Sequence, residues 1–199
     1  MKTNILVINA ALGGSQGNTQ KTLNKLVDYF GANVSANWIF PGQDTSSVYY
    51  EEIIRQADGI VFGTGTYWDS WSSRLQKFLE DATAWESSKE LLFGKPASVV
   101  VTEHSCGGKG ILSRLQGVLS TFGMMIPPMS GIVYSAQTHS LNSFHRDESA
   151  WDKDIWTEDD LEIVAHNLIA AASRKYDWRA WEVSDQDPKV IWNDQRSLI

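Results

Sequence analysis

The chain has a single cysteine, Cys106, among its 199 residues. That excludes an intrachain disulfide framework and any cysteine-rich zinc or iron–sulfur site. It accords with a reducing cytoplasm. Basic residues are also scarce: 17 Lys and Arg against 24 Asp and Glu leave a net charge of −7. A nonspecific grip on nucleic acid or anionic lipid is therefore disfavoured. There is no long apolar run either. The one in residues 1–12 stops at Asn9 and is too short to span a bilayer. Without a secretory signal pattern, a soluble cytoplasmic protein is expected. The sequence also lacks Gly-x-Gly-x-x-Gly and Gly-Lys-Ser/Thr motifs, a nucleophilic triad and paired carboxylates at a working spacing. Bulk composition, 42 % hydrophobic and 21 % charged, fits one soluble domain.

What is present is an alternation of short apolar runs with segments of helical period. Ile5-Leu6-Val7-Ile8 is a β-branched run of the kind buried on both faces of a parallel sheet. Leu23, Leu26, Val27 and Phe30 then form one helical stripe. Val34–Phe40, Gly59–Gly63 and Ala97–Thr102 read as further strands, the last introduced by Pro96. Met124–Ile126 and Ile132–Tyr134, around Pro127-Pro128, are expected to supply the fifth. Helices are expected at Tyr49–Gln56, along Trp71 to Ala82 and along Leu112 to Phe122. A last helix is expected from Thr157-Glu158-Asp159-Asp160, with a side-chain cap and acidic residues at its positive end. Five strands alternating with five helices predict an α/β fold, a parallel sheet joined by right-handed crossovers.

In such a sheet ligands bind beyond the carboxyl ends of the strands. Three loops there are unusual. The first, Gly13-Gly14-Ser15-Gln16-Gly17-Asn18-Thr19, combines glycines, hydroxyls and a helix starting near Asn18, which suits a phosphate. Its plainer reading is a Gly-Ser turn before a helix. The second, Thr64-Gly65-Thr66-Tyr67-Trp68-Asp69-Ser70, places two aromatics where a flat ligand could stack. The third runs Glu103-His104-Ser105-Cys106-Gly107-Gly108. One cysteine and one neighbouring histidine are too few for a metal site or a thiol catalyst, so no metal is expected. His139 and His145 lack ligand spacing and read as solvated.

Ser15-Gln16-Gly17-Asn18-Thr19 resembles the phosphate loop of flavodoxins and of the NADPH-dependent FMN reductase family. The stretch Ala57 to Ser70, with its Thr66-Tyr67-Trp68 core, is similar to that family's second loop. Gly94 through Gly108 resembles its fourth strand and third loop, and Leu115 to Pro128 also looks familial. The resemblance spans about residues 4–135. It implies a flavodoxin-like three-layer sandwich with five parallel strands in the order 2-1-3-4-5, and noncovalent FMN. It implies Ser15, Gly17, Asn18 and Thr19 at the phosphate. Thr64, Thr66, Tyr67, Trp68 and Asp69, with Ser105, Gly107 and Gly108, would flank the ring. Residues 1–177 would form the FMN-binding domain and 178–199 a tryptophan-containing extension. Two departures stand beside the expected ring: Gly65 where many relatives have proline, and Asp69 where glycine is usual. Gly65 is expected to loosen its loop. Asp69 is expected either to lower the flavin's potential or to cap the helix near Trp71.

The leading expectation is an oxidoreductase passing electrons from NAD(P)H through FMN to a flavin, quinone or similar acceptor. The alternative is a noncatalytic flavodoxin-like module, an electron carrier or a flavin-free binding protein. Trp151, Trp156, Trp178, Trp181 and Trp192 lie beyond the sheet segments. They point to a homodimer or larger homo-oligomer, since aromatics are enriched at interfaces, or else to segments that fold back onto their own domain.

Overall fold

The computed structural model describes residues 2–43, 47–135 and 156–181. The elements alternate along the chain: β1 (Thr3–Asn9), α1 (Asn18–Asp28), β2 (Val34–Ile39), α2 (Ser47–Gln56), β3 (Gly59–Gly65), α3 (Ser73–Lys89), β4 (Ala97–Thr102), α4 (Gly108–Thr121), β5 (Gly131–Tyr134) and α5 (Asp160–Ala172). The five strands form one sheet in the order β2-β1-β3-β4-β5, all pairs parallel. This is the flavodoxin-like order.

The alternating side chains of the central strands divide the core in two. Leu6, Ile8, Ile60, Phe62, Val99 and Val101 pack beneath α2, α3 and α4, through Ile54, Phe78 and Leu115 among others. Ile5, Val7, Val61, Val100 and Ile132 face α1 and α5, through Leu23, Leu26, Leu161 and Leu168. Both faces are covered, which is why β1, β3 and β4 read as unbroken apolar runs rather than alternating ones. Each buried branched side chain contributes roughly 1.5–3 kcal/mol of transfer free energy.

Several element ends differ from the sequence reading. β3 continues two residues beyond Gly63, because Thr64 and Gly65 pair with Val101 and Thr102 of β4. The fifth strand is confined to Gly131–Tyr134, and Met125 makes only an isolated bridge to Pro96. At α5 no side chain of Asp159 caps the helix. Instead Asp160 Oδ2 accepts hydrogen bonds from Thr157 N at 2.6 Å and Thr157 Oγ1 at 3.2 Å. His139, His145, Trp151 and Trp192 lie outside the described residues, as does the extension beyond Trp181. Around Trp178 the described chain lies against the domain. Tyr176 and Trp178 stack with ring centroids 5.3 Å apart, and a Cβ on Gly94 would stand 3.2 Å from Trp178 Cδ1.

Candidate functional site

The strand order reverses between β1 and β3, so their carboxyl ends open a crevice between diverging connections. A cleft of about 360 Å³ lies there. Gly13, Gly17, Asn18 and Thr19 of the first loop line one side. Thr66 and Tyr67 of the second loop, then Thr102, Glu103, His104 and Tyr134, line the rest.

The first loop is shaped by backbone contacts that exclude side chains. A Cβ on Gly13 would stand 2.9 Å from Gly17 Cα, and one on Gly17 would stand 3.1 Å from Gly13 Cα. The loop thus doubles back tightly before α1, through a 3-10 turn over Gly14–Gln16. Gly17 precedes the helix and offers no side-chain cap. Lys21 donates the first intrahelical bond, to Gly17 O at 3.3 Å. The N–H groups of Asn18, Thr19 and Gln20 lie ahead of that bond, at the positive end of the helix. Gln20 and Thr19 are buried, whereas Ser15 and Asn18 are exposed.

Asn9, buried at the end of β1, holds this loop from inside. Its Nδ2 donates to Gly14 O at 3.1 Å and to Gln20 Oε1 at 2.8 Å, and its Oδ1 accepts from Ala11 N at 3.1 Å. Thr19 Oγ1 lies 2.6 Å from Thr102 Oγ1, so α1 is fastened to the end of β4 across the cleft floor.

The second loop is a tight hairpin turn. Tyr67 N donates to Ser70 O at 2.8 Å and Ser70 N to Tyr67 O at 3.1 Å. Between them Trp68 and Asp69 take φ of 50° and 58°. Two consecutive positive φ values define a type I′ turn, unusual without glycine and costly for tryptophan by roughly 1–3 kcal/mol. The turn carries Trp68 fully into solvent. Tyr67 points the other way, its hydroxyl accepting from Leu12 N at 2.8 Å and joining the first two loops.

The residues predicted for this site therefore separate. Gly17, Asn18, Thr19, Thr66 and Tyr67 converge on the cleft. Ser15 stands exposed in the adjoining turn. Thr64 faces elsewhere: it is fully buried, donating to Gly65 O at 3.0 Å and accepting from Ser72 N at 3.1 Å. Gly65 does not loosen its loop. It is a buried strand residue, and Tyr67 Oη would lie 3.1 Å from a Cβ placed there. Nor does Asp69 cap α3. Ser72 does, its Oγ accepting from Leu75 N at 3.0 Å and donating to Ala10 O at 2.5 Å. Asp69 instead lies over Gly107, where a Cβ would collide with its Oδ1. Arg114 donates to Asp69 O and sits over the Trp71 ring at 5.7 Å, clamping the second loop to α4.

In the third loop Gly107 has φ 93° and precedes α4. Gly108 N donates to Glu103 Oε2 at 2.7 Å. Ser105 and Cys106 are exposed, 3.8 Å apart at Oγ and Sγ. Burial pushes the Tyr134 phenol above its ordinary range. Among the described residues no three His, Cys, Asp or Glu side chains gather as a metal site would require. Asn9, Glu103 and Arg114 were not singled out from the sequence. For Asn9 the available signal was a polar residue closing a buried strand just before a glycine-bearing loop.

Comparison with known proteins agrees with this fold. Residues 49–139 match the family model of NADPH-dependent FMN reductase. An NAD(P)H dehydrogenase (quinone) from Chelativorans sp. (strain BNC1) is 27 % identical over 141 residues, covering 69 % of this chain and 68 % of the relative. An oxidoreductase from Corynebacterium diphtheriae superposes with a TM-score of 0.67 at 17 % identity, over 88 % of this chain and 99 % of the other. RosB, solved with bound 8-demethyl-8-formylriboflavin-5′-phosphate, gives 0.65 at 16 % identity, over 94 % and 93 %. By its sheet order the chain has a flavodoxin-like fold, and its residues 49–139 are similar to the NADPH-dependent FMN reductase family.

Proposed function

We propose that the chain is an FMN-dependent oxidoreductase that passes electrons from NAD(P)H to a flavin, quinone or similar small acceptor. The observation that carries this reading is the uncapped α1 N-terminus opening on the cleft at the β1/β3 switch point. An anion is the ligand chemistry such a terminus favours. Bound FMN would supply the redox chemistry, taking hydride from the nicotinamide and passing electrons on.

The chain's own residues bind and orient. The N–H groups of Asn18, Thr19 and Gln20, with the exposed Ser15 hydroxyl, would hold the phosphate. Thr19, fixed by Thr102, sets the cleft floor. Thr66, Tyr67, Gly107 and Gly108 would border the ring, with Trp68, Asp69 and Ser105 at the outer rim. No protein nucleophile is required. The Chelativorans relative's name and the flavin phosphate bound to RosB support this choice of cofactor and acceptor class.

We assign residues 1–177 to the FMN domain and 178–199 to an extension. Action in the cytoplasm as a homodimer completes the reading. The exposure of Trp68, Met129, Trp178 and Trp181 supports an interface. None of the described helices is long and apolar enough to cross a membrane.

The test is a visible spectrum of protein reconstituted with FMN, followed on anaerobic addition of NADH or NADPH and then a quinone. Bleaching of the oxidised flavin bands and their return on adding quinone are expected. A bound flavin that neither nucleotide reduces would leave a noncatalytic module. Failure to take up FMN would remove the reading altogether.

A further inference from the structure

Of the helices that begin at the carboxyl edge of the sheet, α1, α3 and α4 follow the three loops at the cleft, and their N-termini are treated differently. That of α1 is left open to the cleft. That of α3 is closed by the neutral hydroxyl of Ser72. That of α4 holds a full negative charge, because Glu103 Oε2 accepts from Gly108 N at 2.7 Å. Space for this carboxylate is reserved. A Cβ on Gly108 would stand 2.6 Å from Glu103 Oε2 and would collide with Val133. The Glu103 backbone is fixed as well, its N–H donating to Tyr134 O at 2.9 Å. Glu103 also lines the cleft. A carboxylate is thus held on the cleft wall at the end of a helix that would otherwise favour negative charge in the ligand.

Resting on the FMN reading above, we propose that Glu103 sets the reduction potential of the bound flavin, disfavouring the reduced cofactor so that its electrons pass on. Hydride from NAD(P)H carries two electrons and one proton to the ring and leaves NAD(P)⁺. At neutral pH the reduced ring then carries one negative charge. An open helix N-terminus behaves as roughly half a positive charge and would stabilise that product. Glu103 offsets this half charge with a whole one of opposite sign. Asp69, the carboxylate singled out from the sequence, sits exposed on the turn and is screened by water.

The test compares dissociation constants for oxidised and dithionite-reduced FMN, measured anaerobically in wild type, Glu103→Gln and Asp69→Asn. Glutamine keeps an acceptor for Gly108 N–H while removing the charge. Glu103→Gln is expected to strengthen binding of reduced relative to oxidised FMN by about fivefold, as a partly screened charge should. Asp69→Asn is expected to change that ratio by less than about twofold. If Glu103→Gln does not fold, Glu103→Ser carries the same comparison. A ratio unchanged from wild type, or a larger change in Asp69→Asn, overturns the proposal while leaving FMN binding intact. A wild-type protein that takes up no FMN overturns both.

Discussion

The two edges of the sheet are built from the same strands but treat their polar groups in opposite ways. At the amino edge the chain satisfies itself. Asp58 Oδ2 accepts from Asn4 N at 2.8 Å, Asn4 Nδ2 donates to Gln56 O at 3.2 Å, and Thr3 and Ser173 pair at 3.3 Å between their hydroxyls. Lys95 is drawn inward, its Nζ donating to Ala57 O at 2.5 Å. At the carboxyl edge the α1 terminus is left open, a tryptophan is forced into positive φ, and Gly13, Gly107 and Gly108 stand where a side chain would collide. Burial and pairing make one edge a stable floor. The other edge keeps donors and strain in reserve, as ligand sites do.

The sharpest way to break this comparison is to place a charge at the open terminus. Asn18→Asp sets a carboxylate on the first turn of α1, where the dipole should stabilise the fold by about 0.3–1 kcal/mol. The same charge repels a phosphate, so FMN affinity should fall by more than about tenfold, as for like charges in a partly desolvated site. Rising melting temperature with falling affinity, by calorimetry and fluorescence titration, is the expected pair. If affinity is retained, the phosphate is not there.

Gly108→Ala and Gly110→Ala, both in α4, come next. The first forces a methyl group into Val133 and Glu103 and should destabilise by roughly 1–3 kcal/mol. The second meets nothing within 4 Å and should stabilise by about 0.5–1 kcal/mol. Urea midpoints for the two should move in opposite directions. Ser72→Ala removes both the α3 cap and the bond to Ala10 O. A loss of about 1–2 kcal/mol is expected.

The smallest effect belongs to the amino edge. Burial lowers the Lys95 pKa, against the opposing pull of Asp58. The folded state then releases the Lys95 proton more readily than the unfolded chain does. Stability from this group therefore rises with pH between its lowered folded value and the ordinary lysine value of 10.5. Unfolding free energies measured up that alkaline window should rise more in wild type than in Lys95→Met. Parallel curves would mean that Lys95 titrates alike in both states.

Most of the fold was legible because the two faces of β1, β3 and β4 are both buried, so continuous apolar runs mark them. The tight first loop was legible because Gly13 and Gly17 must be small where the chain doubles back. Other features depend on distant partners and left no local pattern. Thr64 looked like a loop residue until β4 extended its strand. Asp69 looked like a cap because Ser72, three residues on, is an equally good one and reaches Ala10 as well. The Glu103 contact carries no local signal, because it forms only where α4 turns its terminus back toward that side chain.

The central claim is that the open α1 terminus makes this cleft a phosphate-anchored flavin site. Titrating the wild-type protein with FMN and with riboflavin, which differ only by the phosphate, tests it most directly. Affinity for FMN should exceed that for riboflavin by more than about a hundredfold, as expected for a dianion held by several oriented N–H groups. Equal affinities, or binding of neither, would contradict it.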